Sequence, residues 1–111
     1  MSDCIFCKIV NKEIPSKPVF ENDYALAFND INPQAPVHIL LIPKTHYDSI
    51  NEVDDVELLG KLMKVATQIA KEQELENGYR IVINKGEEGG QTVYHLHIHI
   101  IGGRSMKWPP G

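Results

Sequence analysis

Long apolar runs are absent from this chain of 111 residues. No stretch approaches the roughly 20 consecutive apolar residues that a membrane-spanning helix requires. The amino terminus shows no basic region followed by an apolar stretch, so we expect no secretion signal. Internal repeats and low-complexity tracts are absent as well. We therefore predict no membrane-spanning helix, and the absence of a secretion signal together with the cysteine usage described below predicts a cytoplasmic protein.

Clusters of basic residues are also missing. The chain has 11 Lys and Arg against 15 Asp and Glu, a net charge of −4 with neutral histidines. The basic side chains are scattered singly, whereas a nucleic-acid-binding protein usually presents a basic face to the phosphates. Binding to a membrane surface is disfavoured for the same reason. We expect neither a nucleic acid nor a membrane as a partner.

Cysteine is scarce, since only Cys4 and Cys7 occur, three positions apart. Without a secretion signal, they are expected to be reduced thiols or metal ligands rather than a disulfide. A redox pair is disfavoured because the segment does not follow a strand in a βαβ unit. Two thiolates need two further ligands to hold zinc, and His46 and His95 are the candidates. Two reduced cysteines packed on a short helix remain the alternative.

What the chain does contain is an ordinary globular composition, 42% hydrophobic and 23% charged, which suits one domain. Hydrophobic periodicity predicts a short helix ending near Asn11 and a long amphipathic helix over residues 56–70. Asp54 is the predicted N-cap of the long helix, and Asn77 with Gly78 are predicted to end it. Strands are predicted at residues 19–21, 24–28, 37–42, 79–84 and 94–101.

The fold class follows from these elements. Parallel strands need a crossover between them, and a single long helix supplies too few crossovers for five parallel strands. We therefore predict an α+β fold with a five-stranded, mainly antiparallel sheet, one long helix and one short helix.

Residues 95–101 are the most informative segment, because histidine alternates there with apolar residues. Alternate side chains of a strand share a face, so His95, His97 and His99 would point the same way. Neighbouring imidazoles would lie about 6.5–7 Å apart, a spacing that suits convergence on one small group. Imidazole titrates near pH 6.5, so at neutral pH it can act as nucleophile, base or acid.

Two chemistries fit three histidines on one face. They could bind a catalytic metal, as histidines do in three-ligand zinc sites. Alternatively, one imidazole could attack phosphorus while another protonates the leaving atom. The preceding loop, residues 86–92, favours the second chemistry, because its glycines and the Thr92 hydroxyl suit an anion. His38, inside an apolar strand, is expected to orient one of the rings.

The pattern His-x-His-x-His followed by two apolar residues resembles the signature of the histidine triad superfamily. Other segments resemble its Hint branch, the histidine triad nucleotide-binding proteins, namely residues 14–15, 28–31, 33–38, 42–44, 89–91 and 108–111. The resemblance covers nearly the whole chain. It implies a single histidine triad (HIT) domain over residues 1–111.

Members of this branch are purine nucleoside phosphoramidases and aminoacyl-adenylate hydrolases, so the resemblance implies these activities without a catalytic cofactor. It implies that His97 attacks the α-phosphorus and forms a nucleotidyl-histidine intermediate that water cleaves. His99 would contact the phosphate and assist proton transfer to the leaving amine, and His38 would hold His97 in its reactive tautomer. Relatives that transfer nucleotides to sugar phosphates carry Gln at the position of His99, so hydrolysis is favoured here.

The resemblance also implies a site for a purine nucleotide. Asp30 would accept both ribose hydroxyls, and Gln91 and Thr92 would donate hydrogen bonds to the phosphate or the leaving group. Some relatives carry Ser where this chain has Thr92, which could alter how the leaving group is placed. The other implied residues, around the base, ribose and phosphate, are Ile5, Phe6, Ile9, Phe28, Asn29, Ile31, Leu40, Asn84, Gly90 and Val93.

Structural zinc on Cys4, Cys7, His46 and His95 is a further implication, because some histidine triad relatives bind zinc through such a set. His95 would then be structural, leaving the other two histidines for chemistry. The resemblance also implies a homodimer with joined sheets, in which the carboxyl-terminal residues 104–111 reach the partner subunit.

Two other functions stay open at this point. One is a metal-dependent hydrolase in which the three histidines hold a catalytic zinc. The other is a nucleotide-binding interaction or regulatory module whose catalysis is incidental.

Overall fold

A five-stranded sheet and two helices make up the structure, a computed structural model that describes residues 3–111. The strand order in the sheet is β1-β2-β3-β5-β4, and every neighbouring pair is antiparallel. The predicted α+β architecture, with one long and one short helix, is therefore confirmed. The elements are α1 (Ile5–Val10), β1 (Pro18–Glu21), β2 (Ala25–Asn29), β3 (Val37–Pro43), a 3₁₀ turn (Ile50–Glu52), α2 (Val56–Glu72), β4 (Tyr79–Val82) and β5 (Ile98–Gly102).

The two faces of the sheet carry separate apolar clusters. Because strand side chains alternate, successive residues of β3 go to opposite faces. Ile39 and Leu41 are fully buried on the face that α2 covers. Leu40 and Ile42 lie on the other face, in a smaller cluster with Phe6 of α1. The second face also carries His38, so the histidines are separated from the main core by the sheet.

Helix α2 begins at Val56 as predicted, but its capping residues differ from the prediction. Its N-cap is Asp55 rather than Asp54, and the Asp55 carboxylate accepts from the Leu58 amide at 3.0 Å. The helix ends at Glu72, before the predicted stop at Asn77 and Gly78. Neither helix in residues 3–111 combines the length and the apolar character needed to span a bilayer.

A non-glycine residue in a left-handed conformation explains the early end of α2. Glu74 has φ 60°, and the two amides at the turn bond backwards, from Glu74 to the Lys71 carbonyl and from Leu75 to the Ala70 carbonyl. This pair of bonds is the Schellman ending of a helix, which usually places glycine where Glu74 stands. The prediction failed because it looked for glycine.

Strand β5 begins at Ile98 rather than residue 94, and β4 ends at Val82 rather than residue 84. Of the three histidines in the pattern, only His99 therefore lies in a strand. The segment before β5 is held by other contacts, such as the bond from the Leu96 amide to the Tyr47 carbonyl at 2.7 Å. The positions of the other two histidines depend on these contacts rather than on the repeat of the sheet.

Candidate active site and metal cluster

The candidate active site lies on the α1 side of the sheet, where α1, β3 and the segment before β5 meet. The rings of His97 and His99 have centroids 4.9 Å apart. This distance between ring centroids is shorter than the predicted 6.5–7 Å, which is the backbone repeat of a strand. Phe6 of α1 packs edge-on against His97, with centroids 5.2 Å apart.

The backbone fixes the proton of His97. Its Nδ1 lies 2.8 Å from the carbonyl oxygen of His95, and a carbonyl can only accept, so Nδ1 carries the proton and Nε2 keeps its lone pair. Burial lowers the pKa of His97, which favours the neutral ring. The structure thus places a neutral imidazole with a free Nε2, the form that can act as a nucleophile. The prediction that His38 holds His97 in this tautomer is wrong, since the carbonyl of His95 does so.

His38 is bonded to His99 instead. The amide of Gln34 donates to Nδ1 of His38 at 3.0 Å, so the proton of a neutral His38 ring is on Nε2. That Nε2 lies 2.9 Å from Nδ1 of His99 and 3.3 Å from Oδ2 of Asp30. His38 therefore donates to Nδ1 of His99, which leaves the His99 proton on Nε2.

The Nε2 atom of His99 is buried and has no hydrogen-bond partner within residues 3–111. An unsatisfied buried donor costs about 1–3 kcal/mol, and such atoms mark places that a ligand or water completes. Burial lowers the pKa of His99 to about 4, with smaller contributions from His97 and His38. In the neutral ring this N–H is a donor suited to an anionic oxygen.

Asp30, His38 and His99 offer ligand atoms within 4.8 Å of one another, a spacing that a metal site would also show. The tautomer of His38 argues against that interpretation. Both of its nitrogens are engaged without a metal, Nδ1 by the Gln34 amide and Nε2 by its own proton. We therefore interpret this group as a hydrogen-bonded chain that ends at Nε2 of His99.

Several predicted nucleotide-binding residues form an apolar wall beside the histidines. Buried members lie in the cluster between α1 and the sheet, and Val93 packs against it. Ile5 and Ile31 are exposed, Ile31 completely, so their side chains are free to cover a planar base. The buried members of the wall that the sequence predicted are Phe6, Ile9, Phe28 and Leu40.

Gln91 is engaged differently from the prediction. Its buried amide Nε2 donates to the carbonyls of Asp48 and Val93 at 2.6 and 3.1 Å, while its Oε1 accepts from the Gly86 amide at 3.0 Å. Both amide protons are used within the protein, so the prediction that this side chain donates to the phosphate or leaving group is wrong. Gln91 instead anchors the glycine-containing loop.

The remaining predicted residues lie at the rim of the site or beside it. Thr92 is exposed, and Gly90 has φ 83°, a conformation that favours glycine. Asn84 follows Val82, the β4 partner of His99, and Asn29 is exposed at the end of β2. The contacts of these four residues to a nucleotide stay predictions.

The four predicted metal ligands converge on one point. Their ligand atoms all lie within 4.8 Å of one another. Nδ1 of His95 is 3.3 Å from Sγ of Cys4 and 3.6 Å from Sγ of Cys7, and Nδ1 of His46 is 3.3 Å from Sγ of Cys7. Ligand atoms around a tetrahedral zinc are about 3.3–3.8 Å apart, given Zn–S of about 2.3 Å and Zn–N of about 2.0 Å. The donor set therefore fits zinc.

The outer nitrogen atoms of both histidines also have acceptors. Nε2 of His46 lies 2.7 Å from Oδ1 of Asp48, and Nε2 of His95 lies 2.8 Å from the Pro43 carbonyl oxygen. These acceptors keep the Nε2 protons and turn the Nδ1 lone pairs toward the cysteines, as in zinc sites. Asp48 is a functional residue that was not predicted from the sequence, although its position two residues after His46 was a usable signal.

Four protein donors make a closed tetrahedral set, the arrangement of structural zinc rather than catalytic zinc, which keeps one position open. Only His95 of the three alternating histidines belongs to the set. The alternative in which all three histidines hold a catalytic zinc therefore does not fit this geometry.

Comparison with known proteins identifies the family of the chain. A family profile described as the HIT domain matches residues 11–106. A 14 kDa zinc-binding protein from Zea mays is 54% identical over 115 residues, covering 99% of this chain and 89% of the relative. Adenylylsulfatase HINT1 from Arabidopsis thaliana is 53% identical over 114 residues, covering 99% of this chain and 78% of that protein. A HIT family hydrolase from Legionella pneumophila has a TM-score of 0.95 at 52% identity, covering 98% of this chain and 100% of that one.

Proposed function

Because the chain belongs to the HIT family and is Hint-like, we propose that it is a nucleotide hydrolase acting on purine nucleoside 5′-phosphoramidates and aminoacyl-adenylates. The observation that carries this proposal is the pairing of two neutral rings 4.9 Å apart. One of them, His97, offers a lone pair at Nε2, and the other, His99, offers an unsatisfied N–H. A nucleophile beside a donor for an anion is the arrangement that phosphoryl chemistry requires.

The first step is attack by Nε2 of His97 on the α-phosphorus. A nitrogen–phosphorus bond forms, and the bond from phosphorus to the amine or to the acyl oxygen breaks, with its electron pair going to the leaving atom. The His97 ring gains positive charge as the adduct forms. The His95 carbonyl, 2.8 Å from Nδ1, stabilises that charge because a hydrogen bond to a charged donor is stronger than one to a neutral donor.

His99 handles the proton in this scheme. An α-phosphate anion near Nε2 favours the protonated ring and raises the pKa of His99 above about 4. Nδ1 of His99 accepts from Nε2 of His38, so it can take a second proton, from solvent, only when the His38 N–H turns to the Asp30 carboxylate, 3.3 Å away. The protonated ring then gives its Nε2 proton to the departing amine, a contribution of about 10²–10⁴ to the rate. In the second step the neutral ring accepts a proton from the attacking water, and the nucleotide and His97 are released.

The apolar wall and Asp30 would bind the nucleoside. The base would lie between the buried wall and the exposed Ile31. Oδ1 of Asp30 already accepts from the Asn32 amide at 2.8 Å, but a carboxylate has about four acceptor positions. It therefore keeps capacity for the ribose hydroxyls.

We also propose that the Cys4, Cys7, His46 and His95 cluster holds a structural zinc. Bound zinc supplies a cross-link between α1, the loop after β3 and the segment before β5, and no chemical step passes through it. The named zinc-binding relative and the donor geometry support this assignment.

Adenylyl sulfate is a second candidate substrate, supported by the relative named as an adenylylsulfatase. It offers the same α-phosphorus to His97. Its leaving group is sulfate, a stable anion that departs without a proton from His99.

The proposal is tested with a fluorogenic adenosine phosphoramidate. We expect His97→Ala to lower kcat/KM by at least about 10³-fold, as for removal of a covalent nucleophile. Thr67→Ala, on the exposed side of α2, is the matched control and should retain full activity. Rapid-quench mass spectrometry of the wild type should detect a nucleotidyl adduct on His97. A mild loss in the variant, or turnover without the adduct, would contradict the proposal.

A further inference from the structure

We propose that metal bound at the Cys4, Cys7, His46 and His95 cluster sets the tautomer of His97, and that His95 transmits the effect. His95 belongs to both sites at once. Its ring Nδ1 faces the two cysteine sulfur atoms at 3.3 and 3.6 Å, and its backbone carbonyl accepts the Nδ1 proton of His97 at 2.8 Å. This inference rests on the proposed function in one respect, namely that His97 is the nucleophile.

The direction of the His95 carbonyl depends on two contacts, that of the His95 ring and that of the Leu96 amide in the same peptide unit. Residues 93–97 lie outside the sheet ladder, since β5 begins at Ile98. The ring of His95 is completely buried, and its contacts are the Pro43 carbonyl and the two cysteines. The carbonyl shares its planar peptide unit with the Leu96 amide, which donates to the Tyr47 carbonyl at 2.7 Å. The His95 ring and Tyr47, the residue after His46, therefore set together where the carbonyl points.

Helix α1 strengthens the link between the two sites. Cys4 is the N-cap of α1 and Cys7 lies in its first turn, and Phe6 between them packs edge-on against the rings of both His95 and His97. Thiol S–H groups are weak donors, so two thiols hold His95 less firmly than two thiolates on a shared metal. Metal binding would therefore fix α1, Phe6 and the His95 carbonyl together.

The tautomer decides whether His97 can attack phosphorus. In water, a neutral histidine ring prefers the proton on Nε2, and in that form Nε2 has no lone pair to offer. The bond to the His95 carbonyl reverses this preference. A hydrogen bond of ordinary strength shifts such an equilibrium about twofold to tenfold, so a displaced carbonyl would return part of the population to the unreactive tautomer.

The test measures ¹⁵N chemical shifts of the full-length, histidine-labelled chain at one neutral pH. With zinc bound, His97 should show a protonated Nδ1 and an unprotonated Nε2. After chelation, its tautomer ratio should shift about twofold to tenfold toward protonated Nε2, and added zinc should restore it. His38 is the internal control, because the Gln34 amide that sets its tautomer does not touch the cluster. An unchanged His97 ratio in the metal-free chain, or a chain that binds no zinc, would overturn the proposal.

His46→Asn separates coupling from damage to the fold. The substitution removes one ligand from a loop and leaves α1 and His95 in place, so we expect zinc affinity to fall by at least about 10–100-fold. The His97 ratio should follow zinc occupancy in this variant and reach the wild-type value at saturating zinc. The coupling is contradicted if the His97 tautomer ratio stays altered at saturating zinc, or if it does not change across the zinc titration. This comparison decides the matter even where chelation unfolds the wild type.

The proposed function and the coupling fail in different ways. Full phosphoramidase activity in His97→Ala would remove the nucleophile assignment but leave the metal-dependent tautomer intact. A tautomer insensitive to zinc, together with a trapped adduct on His97, would remove the coupling alone.

Discussion

Each of the five histidines has one hydrogen-bond partner that decides which ring nitrogen carries the proton. Where the partner is a carbonyl or carboxylate, the ring donates to it, and the opposite nitrogen keeps a lone pair. This rule directs lone pairs of His46 and His95 toward the cysteines and that of His97 toward the site. At His38 the Gln34 amide donates to Nδ1, so the proton is on Nε2 and is donated to Nδ1 of His99. The proton of His99 is therefore on its own Nε2. Five identical side chains thus acquire three chemical roles.

The proton requirement of the leaving group separates two substrates. We expect His99→Gln to lower kcat/KM for an adenosine phosphoramidate by about 10²–10⁴, because glutamine can donate a hydrogen bond but cannot act as an acid. The loss for adenylyl sulfate should be much smaller, because sulfate leaves without a proton. Steady-state assays of both substrates check this, with Thr67→Ala as the control. Equal losses would show that His99 only binds the phosphate.

The depressed pKa of His99 predicts how stability depends on pH. Its pKa is about 4 in the folded chain and about 6.5 in the unfolded chain. The unfolded state therefore binds more protons between these two pH values. The contribution of His99 to the free energy of unfolding is complete above pH about 6.5 and is lost as the pH falls through about 4. Burial lowers the pKa of His97 as well, which acts in the same direction.

Urea unfolding of the wild type and of His99→Gln, measured from neutral to acidic pH, tests this dependence. Both chains carry the same metal ligands, so the difference between them isolates His99. We expect the free energy of unfolding to fall less steeply in the variant. Identical slopes would mean that the buried ring does not govern acid stability.

For single residues, the Cys-x-x-Cys spacing together with the family resemblance was enough to predict that Cys4, Cys7, His46 and His95 gather at one cluster. These two signals were not enough to pair His38 with His99. That pairing depends on the register in which Leu40 lies opposite His99, and register is a property of the folded sheet. The use of Gln91 within its loop likewise depends on carbonyls whose positions only the fold determines.

Among the elements, α1 is the one most dependent on its surroundings. A helix of six residues has too few internal hydrogen bonds to be stable alone. It is held by the apolar cluster beneath the sheet and by the contacts of its two cysteines. Helix α1, which places Phe6 at the site, is therefore stabilised both by the apolar cluster and by the contacts of the cysteines on either side of Phe6 in the sequence.

The left-handed turn after α2 gives a prediction for stability. Glu74 has φ 60°, a conformation that costs a residue with a side chain about 1–2 kcal/mol. Glu74→Gly should raise the free energy of unfolding by about 0.5–1 kcal/mol, after the added flexibility of the unfolded chain is subtracted.

Glu76→Gly is the matched control, because Glu76 is exposed nearby and is not among the residues with positive φ. It should lower stability or leave it unchanged. Urea midpoints of both variants decide the question, and destabilisation by Glu74→Gly would show that the turn is not strained.

For the whole molecule, the sheet ends in two open edges, β1 and β4. Open edges expose backbone groups that another strand can pair with. The carboxyl-terminal segment lies near β4, where Arg80 donates to the Lys107 carbonyl at 2.8 Å, and Trp108 beyond it is 83% exposed. These features support the proposal of a homodimer in which residues 104–111 contact the partner.

Removal of residues 106–111 tests the role of this segment. We expect the truncated chain to change its preference among phosphoramidate leaving groups, while its thermal unfolding temperature changes little, because the segment buries little of itself. Activity profiles over a set of leaving amines, with light scattering at micromolar concentration, provide the measurement. A monomeric wild type, or a profile unaffected by truncation, would contradict the proposed contact.

For the whole molecule, the antiparallel arrangement of the sheet could be predicted from the sequence, because a single long helix excludes most parallel arrangements. The order in which β5 lies between β3 and β4 could not, since it depends on how α2 crosses the sheet. The separation of the molecule into a packed face under α2 and a chemical face under α1 follows from that order.

The double use of His95 has an evolutionary consequence. A lineage that loses one of the cysteines keeps a buried imidazole that faces a single sulfur atom in an incomplete donor set, a state worse than either the complete cluster or its complete replacement. Intermediate sequences would be penalised, so the four positions are expected to change as a block, with a new packing arrangement around residue 95. Wherever such a block has changed, the replacement must still aim the same carbonyl at the neighbouring ring.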